Sequence, residues 1–181
     1  PVPVGDIPVG GVLNVGAGGT GALFQTGGSL QAAYLYVQDT FDQTGGATTA
    51  GPLAVADWRG TGGQAQQTLG PGGTLDTGFT YVGTLDLEGS GMPGSGQFDQ
   101  TGGTHRVLTS LGEGGNSSLV VGFGPGGTGA YSLSGADARL ETPTAIIGLI
   151  GGNGTFTQTA GTHLITSEFP FTSEAFPGLV L

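Results

Sequence analysis

The feature that most constrains this chain is a motif that returns along its length, aromatic-x-Gln-Thr-Gly-Gly. It stands complete as Phe41-Asp42-Gln43-Thr44-Gly45-Gly46 and as Phe98-Asp99-Gln100-Thr101-Gly102-Gly103, and nearly complete as Phe156-Thr157-Gln158-Thr159-Ala160-Gly161. Weaker copies are Leu23-Phe24-Gln25-Thr26-Gly27-Gly28, Ala65-Gln66-Gln67-Thr68-Leu69-Gly70 and Tyr131-Ser132-Leu133-Ser134-Gly135-Ala136. A short apolar triplet accompanies each copy: Leu13-Asn14-Val15, Leu35-Tyr36-Val37, Leu53-Ala54-Val55, Leu85-Asp86-Leu87, Leu119-Val120-Val121 and Ala145-Ile146-Ile147. A third apolar segment follows the motif, clearest in Thr104-His105-Arg106-Val107-Leu108-Thr109-Ser110 and Thr162-His163-Leu164-Ile165-Thr166-Ser167. Spacing between triplets drifts while their pattern stays, as loop insertions into a stack of similar units would produce.

Units built from strands of three to five residues cannot bury a core alone. Stacked, each gives the next a hydrogen-bonding partner, with a rise of about 4.8 Å per rung. The expected fold is therefore all-β, a parallel, right-handed β-helix or β-solenoid of about six rungs. Gly is frequent, 41 residues of 181, because corners demand positive φ or close backbone approach. The expected organisation is an extended tail or cap over 1–12, the repeat domain over 13–167, and an apolar tail over 168–181.

Alternation along a strand assigns faces. In the motif the aromatic residue and the Gln share a face, so Phe41, Phe98, Tyr131 and Phe156 are expected to stack inside. Val15, Val37, Val55, Leu87, Val121 and Ile147 are expected to form another wall. Gln25, Gln43, Gln67, Gln100 and Gln158 then fall in one column, where stacked amides are expected to bond rung to rung.

Charge narrows the partners. The net charge is −10, with three Arg and no Lys, so neither nucleic acid nor an anionic membrane is expected, since phosphate binding needs clustered cations. The chain has no Cys, hence no disulfide or thiolate metal site. No apolar run approaches the length of a membrane helix, and Pro1-Val2-Pro3-Val4-Gly5-Asp6 does not read as a signal peptide.

The stretches Gly96–Thr109 and Gly127–Ala136 resemble the repeats of bacterial autotransporter passenger-like and PEP-CTERM-type exported proteins. The resemblance covers residues 85–167 well and 13–84 loosely. It implies a right-handed parallel β-helix, secreted or held at a bacterial cell surface. The chain departs from those families in having neither an autotransporter barrel nor a PEP-CTERM tail, which leaves export and anchoring open.

Chemical sites are sparse. Asp42 and Asp99 share a repeat slot two rungs apart with Gln66 between them, about 10 Å from one another. That is near the spacing of glycosidase carboxyl pairs, but no further groups converge on them. His105 and His163 also share a slot, too far apart for one metal ion, and read as repeated surface or corner residues. Gly72-Gly73-Thr74-Leu75-Asp76 misses the calcium β-roll pattern. No catalytic residue, metal site or cofactor is expected.

Three functions compete. The first is a structural subunit of an extracellular fibre or matrix that assembles with copies of itself. Its contacts are expected from the apolar, Pro-interrupted tails: Val2 and Val4 at one end, and Phe169, Phe171, Phe176, Leu179, Val180 and Leu181 at the other. The second is an adhesin or glycan-binding module using Tyr34, Tyr36, Trp58 and Tyr81. The third, a carbohydrate-active enzyme, has least in its favour.

Overall fold

The computed structural model describes residues 7–56, 64–84, 94–111 and 118–166. Among them are thirteen strands and no helix: β1 (Ile7–Val15), β2 (Ala22–Val37), β3 (Thr40–Val55), β4 (Gln64–Leu69), β5 (Gly73–Thr84), β6 (Ser95–Gln100), β7 (Thr104–Val107), β8 (Leu119–Phe123), β9 (Thr128–Leu133), β10 (Arg139–Thr142), β11 (Ala145–Leu149), β12 (Asn153–Gln158) and β13 (Thr162–Ile165). All form one curled sheet with parallel pairing throughout. The architecture is all-β and solenoid-like.

Three ladders organise the sheet. The first joins the starts of β2 and β3 to β4, β6, β9 and β12. The second joins the start of β1 to the middles of β2 and β3, the start of β5, then β7, β10 and β13. The third joins the ends of β1, β2, β3 and β5 to β8 and β11. The chain visits them in that order and then repeats. Pairing of β1 begins at Ile7 opposite Leu30, so the sheet starts within the segment expected as a tail.

The inner side of each strand follows the two-residue alternation. Column by column, the third ladder stacks Val15, Val37, Val55, Val82, Val121 and Ile147. Beside them run Leu13, Leu35, Leu53, Thr80, Leu119 and Ala145. The fourth triplet is thus Thr80-Tyr81-Val82 and not Leu85-Asp86-Leu87. A polar residue hides it: Thr80 is fully buried because its hydroxyl finds partners inside. Leu85 to Leu87 lie outside the described residues. Ile147 differs from the rest of its column in being 38% exposed, since β11 is the last described strand of that ladder.

One corner recurs in the stack. After the inner Val or Ile of the third ladder comes a residue with positive φ, Gly16, Ala56, Gly83, Gly122 or Gly148, in every coil but the one where Gln38 follows Val37. Across this corner Gly96, Gly129 and Gly154 stack on one another. A Cβ on any of them would collide with a carbonyl oxygen of the third ladder two coils earlier, that of Val55, Val82 or Val121. Only glycine allows that approach.

Candidate functional site

The aromatic slots of the first ladder stack Leu23, Phe41, Gln67, Phe98, Tyr131 and Phe156. Phe41, Phe98 and Tyr131 are at most 1% exposed, and Phe156 is half-buried and packs against the core. Gln67 sits in this column, between Phe41 and Phe98, and Leu69 takes the amide slot between Gln43 and Gln100. Matching the glutamines of the degenerate copy shifts it by two residues. Of the two adjacent glutamines, Gln67 is fully buried and fills the aromatic place.

The amide column does not form an amide-to-amide ladder. Gln25, Gln43 and Gln100 each send Nε2 to two backbone carbonyls. One is in the Gly-Gly corner three residues on (Gly28, Gly46 or Gly103), and one is in the next coil (Ala47, Thr74 or Arg139), at 3.0–3.4 Å. Gln158 reaches only its own corner, at Gly161 O. The amide therefore staples each corner to the coil above it. Two carbonyls are within reach of Gln25, Gln43 and Gln100, whereas a partner amide is missing wherever Leu69 or Leu133 intervenes.

His105 was expected at the surface or a corner, and it lies in the core. Its column is Leu30, Thr48, Leu75, His105, Leu140 and His163, and its exposure is zero. Its ring stacks on Phe98 at 5.1 Å and 5°, and Phe98 stacks on Tyr131 at 4.6 Å and 9°. Tyr131 Oη donates to Gln100 Oε1 at 2.7 Å. The phenol has one hydrogen, so His105 Nδ1–H donates to Tyr131 Oη at 3.1 Å. His105 Nε2 then accepts from Thr80 at 3.1 Å, with Thr77 Oγ1 at 3.3 Å and the two hydroxyls 2.8 Å apart. A neutral imidazole offers one donor and one acceptor, and both are used. Burial, with the second histidine His163 as a smaller cause, lowers the His105 pKa to about 3. Burial also raises the Tyr131 hydroxyl well above its usual range. The cluster is thus an uncharged, proton-ordered core, closed to any substrate. Alternation from the apolar Val107, two residues on and on the same side of β7, is the sequence signal that could have placed His105 inside.

The outer side carries the remaining candidates. Between Asp42 and Asp99 stands Thr68, not Gln66. Asp99 accepts from Gln97 Nε2 at 2.6 Å and Gln66 Nε2 at 3.1 Å. Beside them is a shallow depression of about 310 Å³ bordered by Asp39, Gln66, Gln97 and Thr128. The Asp39 carboxylate already accepts from Gly21 N–H at 2.7 Å and from Thr40, so the depression presents amides and hydroxyls with no acid–base pair. On the second ladder Arg106 clasps Asp76 through two bonds of 2.7 and 2.6 Å, which raises the Arg106 pKa, and Arg139 pairs with Glu141. No cluster of three metal-ligating side chains occurs among the described residues.

Two rows of rings stand outward on the third ladder. Tyr34 and Tyr36 stack at 6.3 Å. Phe79 and Tyr81 stack at 6.1 Å, with Phe123 edge-on to Tyr81. Trp58 lies outside the described residues, as do Val2, Val4, Phe169, Phe171, Phe176, Leu179, Val180 and Leu181.

No described residue covers the end formed by β12 and β13. Inner slots there hold Phe156, Gln158, His163 and Ile165; Gln158 is exposed and Ile165 is 49% exposed. His163 stacks against Phe156 at 5.3 Å, is held through Nε2 by Thr142 at 2.9 Å, and its pKa is lowered by partial burial. The N–H groups of Asn153, Thr159, Thr162 and Thr166 all bond to the preceding coil. By the alternation of a parallel ladder, the backbone of Gly154, Phe156, Gln158, His163 and Ile165 faces away from it. No family model, curated protein or solved structure matches the chain.

Proposed function

We propose that the protein is a structural module of a bacterial extracellular fibre or matrix, a right-handed β-helix of about six coils that associates with further copies of itself through its uncovered end. The observation that carries this reading is the row of inner slots and strand backbone at β12 and β13 that no described residue covers or pairs, where Ile165 is 49% exposed. A bare strand edge is a template for another strand, and a head-to-tail contact that does not close extends into a filament. The right hand follows from the strong preference of crossovers between parallel strands. Secretion or surface display follows from the resemblance of residues 85–167 to exported repeat proteins. A net charge of −10 opposes nucleic acid and anionic membranes. A non-catalytic role fits a surface on which the described carboxylates are paired or spread apart, since catalysis needs convergent groups.

The outward rings Tyr34, Tyr36, Phe79 and Tyr81 favour a second reading, an adhesin that binds glycans; a glycan array with Tyr36→Ala and Tyr81→Ala as controls tests it. The fibre reading is tested by light scattering and negative-stain microscopy across concentration. The expected result is linear particles that lengthen with concentration and are lost in Ile165→Lys. A chain that stays monomeric at the highest concentration overturns it.

A further inference from the structure

We propose that the seams between coils that lack an amide staple are closed instead by histidine–threonine ties, and that the outer of these seams is opened by acid: protonating His163 frees β12 and β13 while the coils beneath stay shut. The inference does not rest on the fibre reading.

The amide column runs Gln25, Gln43, Leu69, Gln100, Leu133 and Gln158. Gln25, Gln43 and Gln100 each bond into the following coil, at the carbonyls of Ala47, Thr74 and Arg139. Leucine has no polar group to send, so the seams after Leu69 and Leu133 have no staple. A histidine enters the second ladder at these same seams: His105 lies over Leu75, and His163 lies over Leu140. The contact has one geometry in both. Each histidine reaches the threonine two residues beyond the leucine beneath it. His105 Nε2 is 3.3 Å from Thr77 Oγ1, and His163 Nε2 is 2.9 Å from Thr142 Oγ1. From β2 onward, a histidine stands at each seam that lacks the amide and at none that has it.

The two histidines also end one stack of rings. His105, Phe98, Tyr131, Phe156 and His163 touch in that order, with centroids 5.1, 4.6, 5.4 and 5.3 Å apart. What separates them is depth: His105 has zero exposure, whereas His163 is half-buried. The Thr142 hydroxyl is fully buried, and a neutral imidazole nitrogen can accept its hydrogen. An imidazolium cannot, so protonation takes away that acceptor and puts a charge in a half-buried slot. No carboxylate among the described residues meets the charge. On β10, Arg139 and Glu141 point outward and pair with each other, and Asp137 is exposed in the turn before them. On β12, Phe156 and Gln158 are the inner neighbours, and neither β11, β12 nor β13 carries another titratable side chain. Within the stack Tyr131 is kept neutral by burial, and His105 and His163 oppose each other's protons.

Burial lowers the His163 pKa, so the closed seam holds a proton less well than an open one, whose histidine titrates near about 6.5. Opening therefore grows as pH falls below that value, by at most about tenfold per pH unit. His105 stays uncharged until about pH 3, which keeps the inner tie intact over the same range.

The test is hydrogen exchange on the full chain at low concentration, with particle mass recorded alongside and rates expressed as protection factors. The Asn153, Thr159, Thr162 and Thr166 amides bond back to the coil before and report the outer seam. From about pH 7.5 to about pH 5 their protection is expected to fall at least about threefold and to return on neutralisation, with β2 and β3 unchanged. His163→Leu places a residue type that the column already holds at Leu75 and Leu140, and it is expected to abolish the fall; His105→Leu is expected to keep it. A flat profile in the unmodified chain, a fall that survives His163→Leu, or a fall shared by β2 and β3 overturns the proposal. The ring-proton resonance of His163 gives a readout without substitution. Its midpoint is expected below that of an unstructured histidine peptide and above that of His105, and a midpoint at or above the peptide's overturns the proposal. Fibre formation is scored by particle mass and seam opening by protection within a chain, so failure of one is distinct from failure of the other.

Discussion

Two stretches of one column solve the same problem differently. In the later stretch Phe98, Tyr131 and Phe156 form a continuous ring stack, and the Tyr131 hydroxyl drops onto the Gln100 amide one coil below. In the earlier stretch Gln67 occupies the place over Phe41, and the Gln43 Oε1 beneath it finds no hydrogen-bond partner among the described residues. One coil lower, Gln25 Oε1 is satisfied from another direction, by Thr48 Oγ1 at 2.6 Å. The slot is set by register. Whether the neighbouring amide is satisfied depends on what the next coil brings into reach.

The comparison can be broken most severely at Phe98. Phe98→Ala removes a ring with zero exposure that is held between Tyr131 and His105, and a loss of about 3–5 kcal/mol is expected in chemical denaturation. The same change at half-buried Phe156 is expected to cost less than half as much. Equal losses would show that the stack is not what distinguishes the two coils.

Acid probes the later stretch alone. His105 has a folded pKa of about 3, below the roughly 6.5 of an unfolded histidine. Between those values the unfolded chain binds the proton and the folded one does not. Stability contributed by His105 is therefore whole above about pH 6.5 and falls as pH drops toward 3, by about 1.4 kcal/mol per unit at most. At pH 4.5 the expected deficit is about 2–3 kcal/mol. Leucine already fills this column at Leu75 and Leu140, so His105→Leu is expected to flatten the profile over that window. An unchanged slope would assign the acid sensitivity elsewhere.

The smallest effect sharpens the comparison by making the two stretches alike. Gln67 stands to Gln43 as Tyr131 stands to Gln100, so Gln67→Tyr brings a hydroxyl to the unpartnered Oε1. A gain of about 1 kcal/mol is expected, the worth of one buried hydrogen bond, provided the ring fits without strain. A thermal midpoint below that of the unmodified chain would show that the space above Thr48 and Gln43 does not admit it.

The parallel stacking was legible because three motif copies are nearly identical, and because alternation alone points Phe41, Phe98 and Tyr131 inward. What was hidden had polar residues in core slots. Thr80 concealed a triplet, since a hydroxyl there reads as surface until Thr77 and His105 are seen to receive it. Gln67 concealed the register of its own copy, since glutamine is the motif's signature in the adjacent column. His105 read as a surface or corner residue because its three hydrogen-bond partners come from β5 and β9, segments distant in sequence that nothing near His105 announces. The staples made by Gln25, Gln43 and Gln100 were half visible: the common column was right for Gln25, Gln43, Gln100 and Gln158 and wrong for Gln67, but backbone carbonyls as acceptors leave no mark on a sequence.

The glycine corner separates two kinds of change that this chain can undergo. Residues 57–63 and 85–93 are both spliced in just after a positive-φ residue, Ala56 or Gly83. The chain then re-enters through Ala65 or Gly96, which pair with one another, and at Gly96 the close approach of the Val55 carbonyl admits one backbone path and one phase. Whatever is inserted upstream, the count restarts there. Loops can thus lengthen, shorten or diverge while the core beneath keeps its spelling, as text can be added in a margin without moving the lines. New surface chemistry in such a molecule has a permitted address, and it lies at that corner.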